Sequence, residues 1–244
     1  MNFRRSTYAG ILVALGILIL LGGTSAGQNS DCTIVIQFGI PMRSRPFTPA
    51  ARLVFQEDFV QPHAWNTPRF WSDPFRGHCI LNESLHIMVT KRNWNNTVKV
   101  PVKKSLHRFV LETDARSISA SEEKPERYGI RFHYRGSGSS WTGYYWCIQT
   151  DGVFEVYRVV NGHYKRLLGP TFSYAVRQER EVNHLRLTVS GHSFLFEING
   201  VRIAALSDSA ISTGGQIRLA GSTFDTDDPY CHISFDNVRV YAMP

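Results

Sequence analysis

Bulky apolar residues alternate with polar ones in short runs along most of the chain after residue 50. This period places successive side chains on opposite faces of a β-strand. The pattern predicts about eleven strands, which read LVFQEDF, SLHIMV, RFVLETDAR, YGIRFHY, GYYWCIQ, VFEVYRVV, HLRLTVS, SFLFEI, VRIAAL, GQIRLAG and HISFDNVRVY.

Tight-turn dipeptides separate many of these runs. They are Asp151-Gly152, Asn161-Gly162, Ser190-Gly191 and Asn199-Gly200, and such pairs supply the positive φ angles that hairpin turns need. No segment of helical period and convincing length follows residue 50, so alternating β-α-β units are excluded. The sequence therefore predicts an all-β, antiparallel sandwich or barrel.

The stretch 144-YYWCIQTDGVFEVYRVVNGHY-164 is unusually rich in aromatic rings. Alternation predicts that Trp146, Ile148, Phe154 and Val156 face the core, where each contributes roughly 1.5–3 kcal/mol by burial. The rings left over for a ligand are Tyr145, Tyr157, Tyr164 and Trp141, the last in the loop GSGSSWTG.

The N-terminus has the pattern of a secretory signal. Arg4 and Arg5 precede an apolar run, and small residues follow at Thr24 and Ala26. The alternative is an uncleaved anchor, which would then be the protein's one membrane contact. We predict a signal peptide or anchor over 1–26, a linker over 27–50 and one domain over 51–242, in a secreted or cell-surface protein.

Export makes the cysteines informative. Four are present, so up to two disulfides with three possible connectivities follow, although Cys147 could equally be a buried thiol. They are Cys32, Cys79, Cys147 and Cys231.

The net charge of +7 would fall to +5 if Arg4 and Arg5 were removed with the signal. The remaining basic residues are scattered along the sequence, without a basic helix or an RNA-binding motif. This arrangement predicts a solvated basic face and no nucleic-acid partner.

Three ordered pieces of the chain carry a family resemblance: LVFQEDFVQPHAW, YGIRFHY…YYWCIQTDGVFEVYRVVNGHYKRLL, and NHLRLTVSGHSFLFEINGVRIAAL…GGQIRLAGS…ISFDNVRVY. They resemble the concanavalin A-like lectin/glucanase superfamily, and within it exported bacterial modules of the 3-keto-disaccharide hydrolase-like type. The resemblance covers about 51–242 and implies an antiparallel two-sheet jelly-roll sandwich. Function does not follow from it, because this fold hosts glycanases, lectins and structural domains.

Glycoside hydrolysis needs two carboxylates across the scissile bond. Glucanases of the superfamily carry E-x-D-x-x-E, and the nearest match here has Glu112 and Asp114 but Ser117 in the third place. Glu112 and Asp114 are therefore weak catalytic candidates. The alternative is a salt-bridged strand edge in which Arg116 pairs with them.

Related jelly rolls often hold a structural calcium ion where the first and last strands meet. Glu57, Asp58, Asp236 and Asn237 lie in those strands and offer the oxygen ligands that calcium prefers. The alternative is that these side chains cap turns by accepting backbone N–H groups.

A sugar-binding platform is the remaining candidate. Arg131 and His133 share a face on a strand beside the aromatic hairpin, and Trp141, Tyr145, Tyr157 and Arg158 complete the predicted set. Adjacent residues on a strand point in opposite directions, so Tyr157 and Arg158 cannot both belong to it. We expect a non-catalytic module that binds a glycan; the alternatives are a glycoside hydrolase of the 3-keto-disaccharide type and a structural or adhesive surface protein.

Overall fold

The structure, a computed structural model, describes residues 51–60, 65, 74–120, 124–212, 214–224, 227 and 229–244, together with the backbone of 32–35. Within these ranges the regular secondary structure is β-strand, apart from a single 3₁₀ turn at Gly138–Ser140. The described residues include no helix long and apolar enough to cross a membrane.

Fifteen strands follow one another along the described chain. They are β1 (Cys32–Val35), β2 (Arg52–Glu57), β3 (Arg76–Leu81), β4 (Ser84–Val89), β5 (Asn95–Lys99), β6 (Arg108–Ser117), β7 (Arg127–Arg135), β8 (Thr142–Gln149), β9 (Val153–Val160), β10 (His163–Phe172), β11 (Asn183–Ser190), β12 (Ser193–Ile198), β13 (Val201–Asp208), β14 (Gln216–Ser222) and β15 (Cys231–Ala242).

The strands form two antiparallel sheets. A nine-stranded sheet has the order β1-β13-β12-β11-β6-β15-β4-β3, and β2 also pairs with β15. A six-stranded sheet has the order β10-β9-β8-β7-β14-β5. The second sheet therefore joins a meander, β7 to β10, to two strands that come from distant parts of the sequence.

The core lies between the two sheets. Each strand contributes alternate residues to it, as in Leu185, Leu187 and Val189 of β11, which are all fully buried. From the six-stranded sheet, Trp146 and Phe154 pack into the same core, and the Trp146 ring lies 5.1 Å from that of Phe196 on the opposite sheet.

Two predicted turn pairs have the backbone that their residues favour. Asn161 and Gly162 both have positive φ, at 48° and 80°, and so do Asn199 and Gly200, at 51° and 78°. Two consecutive residues of this kind make a tight hairpin whose twist matches that of the flanking strands. The turns fix the register of β9 with β10 and of β12 with β13.

The all-β sandwich and the inward positions of Trp146, Ile148, Phe154 and Val156 are confirmed. Four strands were not predicted: β1, β3, β5 and β10. β1 lies inside the segment predicted as a linker and pairs with β13; the prolines after it hid the short alternation in CTIV. The predicted signal, 1–26, lies outside the described residues.

The described cysteines are not in disulfides. Cys79, Cys147 and Cys231 are free and buried, so the possibility of two disulfides is not realised. Burial raises the pKa of Cys147 to about 11, which keeps it a thiol at neutral pH.

Candidate functional site

The outer face of the six-stranded sheet, which points away from the core, carries a second cluster of rings. Tyr134, Trp141, Tyr145 and Val159 are buried there with Cys147. These rings are shielded from solvent in part by arginine side chains, since Arg131 lies over Trp141 and Tyr145 and Arg218 lies over Tyr134.

A β-bulge in β7 decides which residues reach this face. The pairing of β7 with β8 shifts between Phe132 and Arg135, and His133 has a positive φ of 49°. The extra residue reverses the alternation, so Tyr134 joins Arg131 on the outer face and His133 turns inward. The backbone is so close here that a Cβ on Gly215 would lie 2.5 Å from the carbonyl carbon of His133.

The expectation that His133 shares a face with Arg131 is therefore wrong. His133 is 1% exposed and packs edge-on against the rings of Phe109 and Tyr144 in the core. Its Nδ1 accepts a hydrogen bond from the backbone N–H of Gly214. Burial lowers the pKa of His133 to about 4, so the ring is neutral at physiological pH.

Arg158 also lies away from the platform in which it was predicted. Its Nη1 is 2.9 Å from Oδ2 of Asp208, a carboxylate only 1% exposed. The hydroxyl of Tyr144 donates to the same carboxylate at 3.2 Å. Arg158 therefore neutralises a buried acid at one end of the sandwich, while its neighbour Tyr157 points to the outer face.

The outer face has one row of side chains in direct cross-strand register from edge to edge. Neighbours in the row are partners in the strand pairing, and four of the six members are cations. We call this the transverse row; in order across the sheet it consists of Arg166, Tyr157, Tyr145, Arg131, Arg218 and Lys99.

Guanidinium groups and rings stack along and beside the transverse row. The guanidinium carbon of Arg131 lies 4.4 Å from the ring centre of Trp141 and 5.0 Å from that of Tyr145. The ring of Trp141 in turn stacks on that of Tyr134 at 5.1 Å. The guanidinium carbon of Arg218 lies 4.8 Å from the ring centre of Tyr134. Such contacts hold the charged groups in fixed positions on the sheet.

Trp141 and Tyr145 do not form the exposed ring platform expected for them, since they are 2% and 5% exposed. Arg131 lies over both rings, Tyr134 is stacked on Trp141, and Tyr157 is stacked on Tyr145. Tyr157 is half-buried, and Tyr164, at 49% exposed, meets both Tyr157 and Trp141 edge-on. The surface offered to a ligand is therefore formed by guanidinium groups as much as by rings.

Two adjoining cavities follow this face and share Arg131, Trp94, Asn93 and Asn95. One has a volume of about 550 Å³ and the other of about 270 Å³. We call the two together the groove. Its described lining includes four arginines and no aspartate or glutamate; the arginines are Arg76, Arg127, Arg131 and Arg218.

One carboxylate does lie on the outer face beside the groove. Glu155 is 1% exposed, and its Oε1 is 3.2 Å from Nε of Arg166. Gln149 donates a hydrogen bond to its other oxygen at 3.2 Å. Glu155 is thus matched to Arg166 and does not balance the arginines that line the groove.

Several groove residues were not singled out from the sequence: Arg76, Trp94, Arg127, Tyr134 and Arg218. Trp94 lies in a loop without periodicity, and the two strands that bring Arg131 beside Arg218 are far apart in the chain. The alternation of RYGIRF did place Arg127 on the same face as Arg131, which was the one available signal.

Glu112 and Asp114 lie on the outer face of the other sheet. Glu112 pairs with Arg186 at 3.0 Å, and Asp114 with His184 at 2.8 Å. The hydrogen bond from His184 is the main reason that the pKa of Asp114 is lowered. Both acids are therefore held in ion pairs, as the alternative to catalysis predicted. Two details of that alternative are wrong: β6 is an interior strand of its sheet rather than an edge, and the partners are Arg186 and His184 rather than Arg116.

The predicted calcium ligands do lie in neighbouring strands, since Val238 of β15 is paired with Glu57 of β2. Their carboxylates accept backbone N–H groups: Glu57 from Phe59 at 2.9 Å, and Asp236 from Asn237 at 2.6 Å. Among the described residues no group of three or more His, Cys, Asp or Glu could hold a metal ion. The geometry at Glu57 and Asp58 fits turn capping, whereas Asp236 and Asn237 lie within β15, where the Asn237 amide donates to Asp114. The calcium site remains a prediction.

No protein-family model and no curated protein matches the chain. Similar solved structures include a Bacillus licheniformis β-glucanase, with 11% identity over 80% of this chain and 100% of that one, at a TM-score of 0.52. A structure described as endo-acting O-glycanases of the human gut microbiota has 13% identity over 79% and 100%, also at 0.52. A family 7 alginate lyase in complex with product has 6% identity over 70% and 84%, at 0.50.

At such identities the likeness shows the fold alone. The chain has the jelly-roll sandwich of the concanavalin A-like type. The narrower resemblance to 3-keto-disaccharide hydrolase-like modules remains a prediction.

Proposed function

We propose that this protein is a carbohydrate-binding β-sandwich that holds a glycan chain along the groove. The supporting observation is the mixture of amides, hydroxyls and half-buried rings along one open surface. Sugars require many hydrogen-bonding partners at their hydroxyls and apolar surfaces for their C–H faces. The amides and hydroxyls are those of Asn93, Asn95, Asn96, Ser137 and Ser139, and the accessible rings are those of Tyr157 and Tyr164.

The groove favours binding over glycoside hydrolysis. A glycosidase of the usual kind needs two carboxylates on either side of the scissile bond. No Asp or Glu is among the described residues that line the groove, and Glu112 and Asp114 are on the other sheet, each held in a pair. We therefore propose a non-catalytic role, ahead of the hydrolase and adhesive alternatives.

We also propose that the protein acts outside the cytoplasm, as the N-terminal segment 1–26 indicates. If this segment is retained, it is the protein's membrane contact. Immunoblotting of cell fractions and N-terminal sequencing of the extracellular form would test this, and protein found only in the cytoplasm would contradict it.

A glycan array with the purified protein tests the binding role. We expect Tyr164→Ala to weaken the best hit about tenfold, the loss of one stacking contact of about 1.4 kcal/mol, because this groove-lining ring is 49% exposed. Tyr174→Ala is the matched control, because this ring is 95% exposed and is not among the groove-lining residues. A blank array, or equal losses in the two variants, would contradict the proposal.

The same array run with calcium and with EDTA tests the predicted metal. Binding or melting temperature that falls in EDTA would support a calcium site at Glu57, Asp58 and Asp236. Unchanged binding and unchanged melting would remove that prediction and leave turn capping as the role of Glu57 and Asp58.

A further inference from the structure

We propose that the groove selects acidic saccharides, and that Arg131 forms its central subsite for a carboxylate or sulfate group of the sugar. This inference rests on the proposed glycan-binding function and narrows its ligand class. The neutral and acidic forms of one polysaccharide distinguish the two claims.

Arg131 is a buried cation that has no acidic partner among the residues that the structure describes. It is 3% exposed, and within this part of the chain its Nε has no hydrogen-bond partner and no ion pair joins it to a carboxylate. The described contacts of its guanidinium are with the rings of Trp141 and Tyr145. A buried guanidinium is normally matched by a carboxylate because desolvation of the charge is costly, and Arg131 lines both parts of the groove.

A second cation, Arg218, is the direct cross-strand neighbour of Arg131. Arg131 and Arg218 are direct partners in the pairing of β7 with β14, an arrangement that is unfavourable without an anion nearby. Burial lowers the pKa of Arg218, and the charge of Arg131 acts in the same direction. The hydrogen bonds of Arg218 go to the neutral groups of Thr97 and Gln216.

Arg127 repeats this arrangement four residues before Arg131, at the start of β7. Its guanidinium lies 3.8 Å over the ring of Phe224, and its buried Nε also has no hydrogen-bond partner among the described residues. Arg127 and Arg131 lie on the same face of β7 and line the same cavity. Two ring-held cations spaced along one strand suit a ligand that carries repeated negative groups.

The ligand chemistry follows from these groups. A guanidinium presents a planar fork of donors that matches the paired oxygens of a carboxylate or sulfate. The amides of Asn93, Asn95 and Asn96 beside it match sugar hydroxyls.

Two matched pairs of polysaccharides test the inference at one fixed ionic strength. Polygalacturonate and its methyl ester differ in the carboxylate, and dextran sulfate and dextran differ in the sulfate. Calorimetric titration of the whole protein is expected to show at least about tenfold tighter binding to the acidic member of one pair. The pair that shows the difference identifies which anionic group the subsite takes.

Variants separate the subsite from general attraction to a basic protein. Arg131→Gln is expected to remove most of the preference for the acidic form, and Arg131→Lys to restore only part of it because the fork is lost. Arg202→Gln removes the same charge from an exposed position on the other sheet. It should change affinity less than twofold, since exposed distant charges are screened.

Each outcome decides the matter. Equal affinity for the acidic and neutral forms overturns the inference and leaves glycan binding standing, whereas binding to no polysaccharide overturns both. Equal losses in Arg131→Gln and Arg202→Gln also overturn the subsite, because attraction to the whole basic surface would explain them. If Arg131→Gln fails to fold, Arg127→Gln gives the same comparison at the second cation.

Discussion

The guanidinium of Arg131 lies over the indole of Trp141, with 4.4 Å from its central carbon to the ring centre. The ring of Tyr134 is stacked on the same indole at 5.1 Å with 19° between the planes. Trp141 is thus both a buried hydrophobic side chain and the support that fixes the cation. Stability and ligand binding are expected to depend on the same ring.

Trp141→Ala should destabilise the protein by roughly 3–5 kcal/mol, the usual cost of removing a buried aromatic side chain. Trp141→Phe should lose less than half of this, because a ring still packs against Tyr134 and Arg131. Urea unfolding followed by circular dichroism measures both. A loss below about 1 kcal/mol for Trp141→Ala would show that the stack does not support the sheet.

The bulge at His133 depends on close backbone approach at Gly215. This glycine has a φ of 138°, and a Cβ there would lie 2.5 Å from a backbone carbon of His133. Gly215→Ala should therefore destabilise by roughly 3 kcal/mol or prevent folding. Gly200→Ala is the matched control: its φ is 78°, but a Cβ there meets nothing within 4 Å, so only the backbone strain of about 1 kcal/mol applies. Equal losses in the two variants would show that the bulge is not tightly enclosed.

The same bulge marks the limit of prediction from the sequence. Alternation placed Trp146 and Phe154 in the core because β8 and β9 are regular and pair with each other through a short turn. It failed at His133, since nothing local to YGIRFHY shows where an extra residue is inserted. The groove was predicted only in part for a different reason. Arg131 and Arg218 become neighbours through a pairing of strands that are distant in sequence.

Asp208 is expected to be the most sensitive acid of the described chain. It accepts hydrogen bonds from Tyr144, Arg158 and the backbone N–H of Ala210 while 1% exposed. Asp208→Ala leaves Arg158 without its partner, so a loss of roughly 3–5 kcal/mol is expected. Asp151→Ala removes one exposed contact, to the N–H of Val153, and should cost less than about 1 kcal/mol. Similar small losses in both variants would mean that the Arg158 pair is replaceable by water.

Stability is expected to fall as the pH drops from about 6.5 towards 4. Burial lowers the pKa of His133 to about 4, and burial, with His86 nearby, lowers that of His232 to about 4 as well. Between these pH values the two histidines bind protons in the unfolded chain but stay neutral in the folded protein, so a fall in pH favours unfolding. Above pH 6.5 they are neutral in both states, and this loss of stability vanishes. At pH 5 the shift at His133 corresponds to about 2 kcal/mol. His184 acts in the opposite sense, because its hydrogen bond to Asp114 raises its pKa.

The contribution of His133 can be isolated by His133→Asn. Asparagine tolerates the positive φ at this position, and its side-chain oxygen can accept the N–H of Gly214 in place of Nδ1. Urea unfolding at pH 7.5, 6.0 and 5.0 should give a shallower loss of stability for this variant than for the parent, by about 2 kcal/mol at the lowest pH. His163→Asn, at an exposed histidine, should keep the parent's slope. Parallel curves for all three proteins would show that His133 titrates normally in the folded state, in conflict with its burial beneath the bulge.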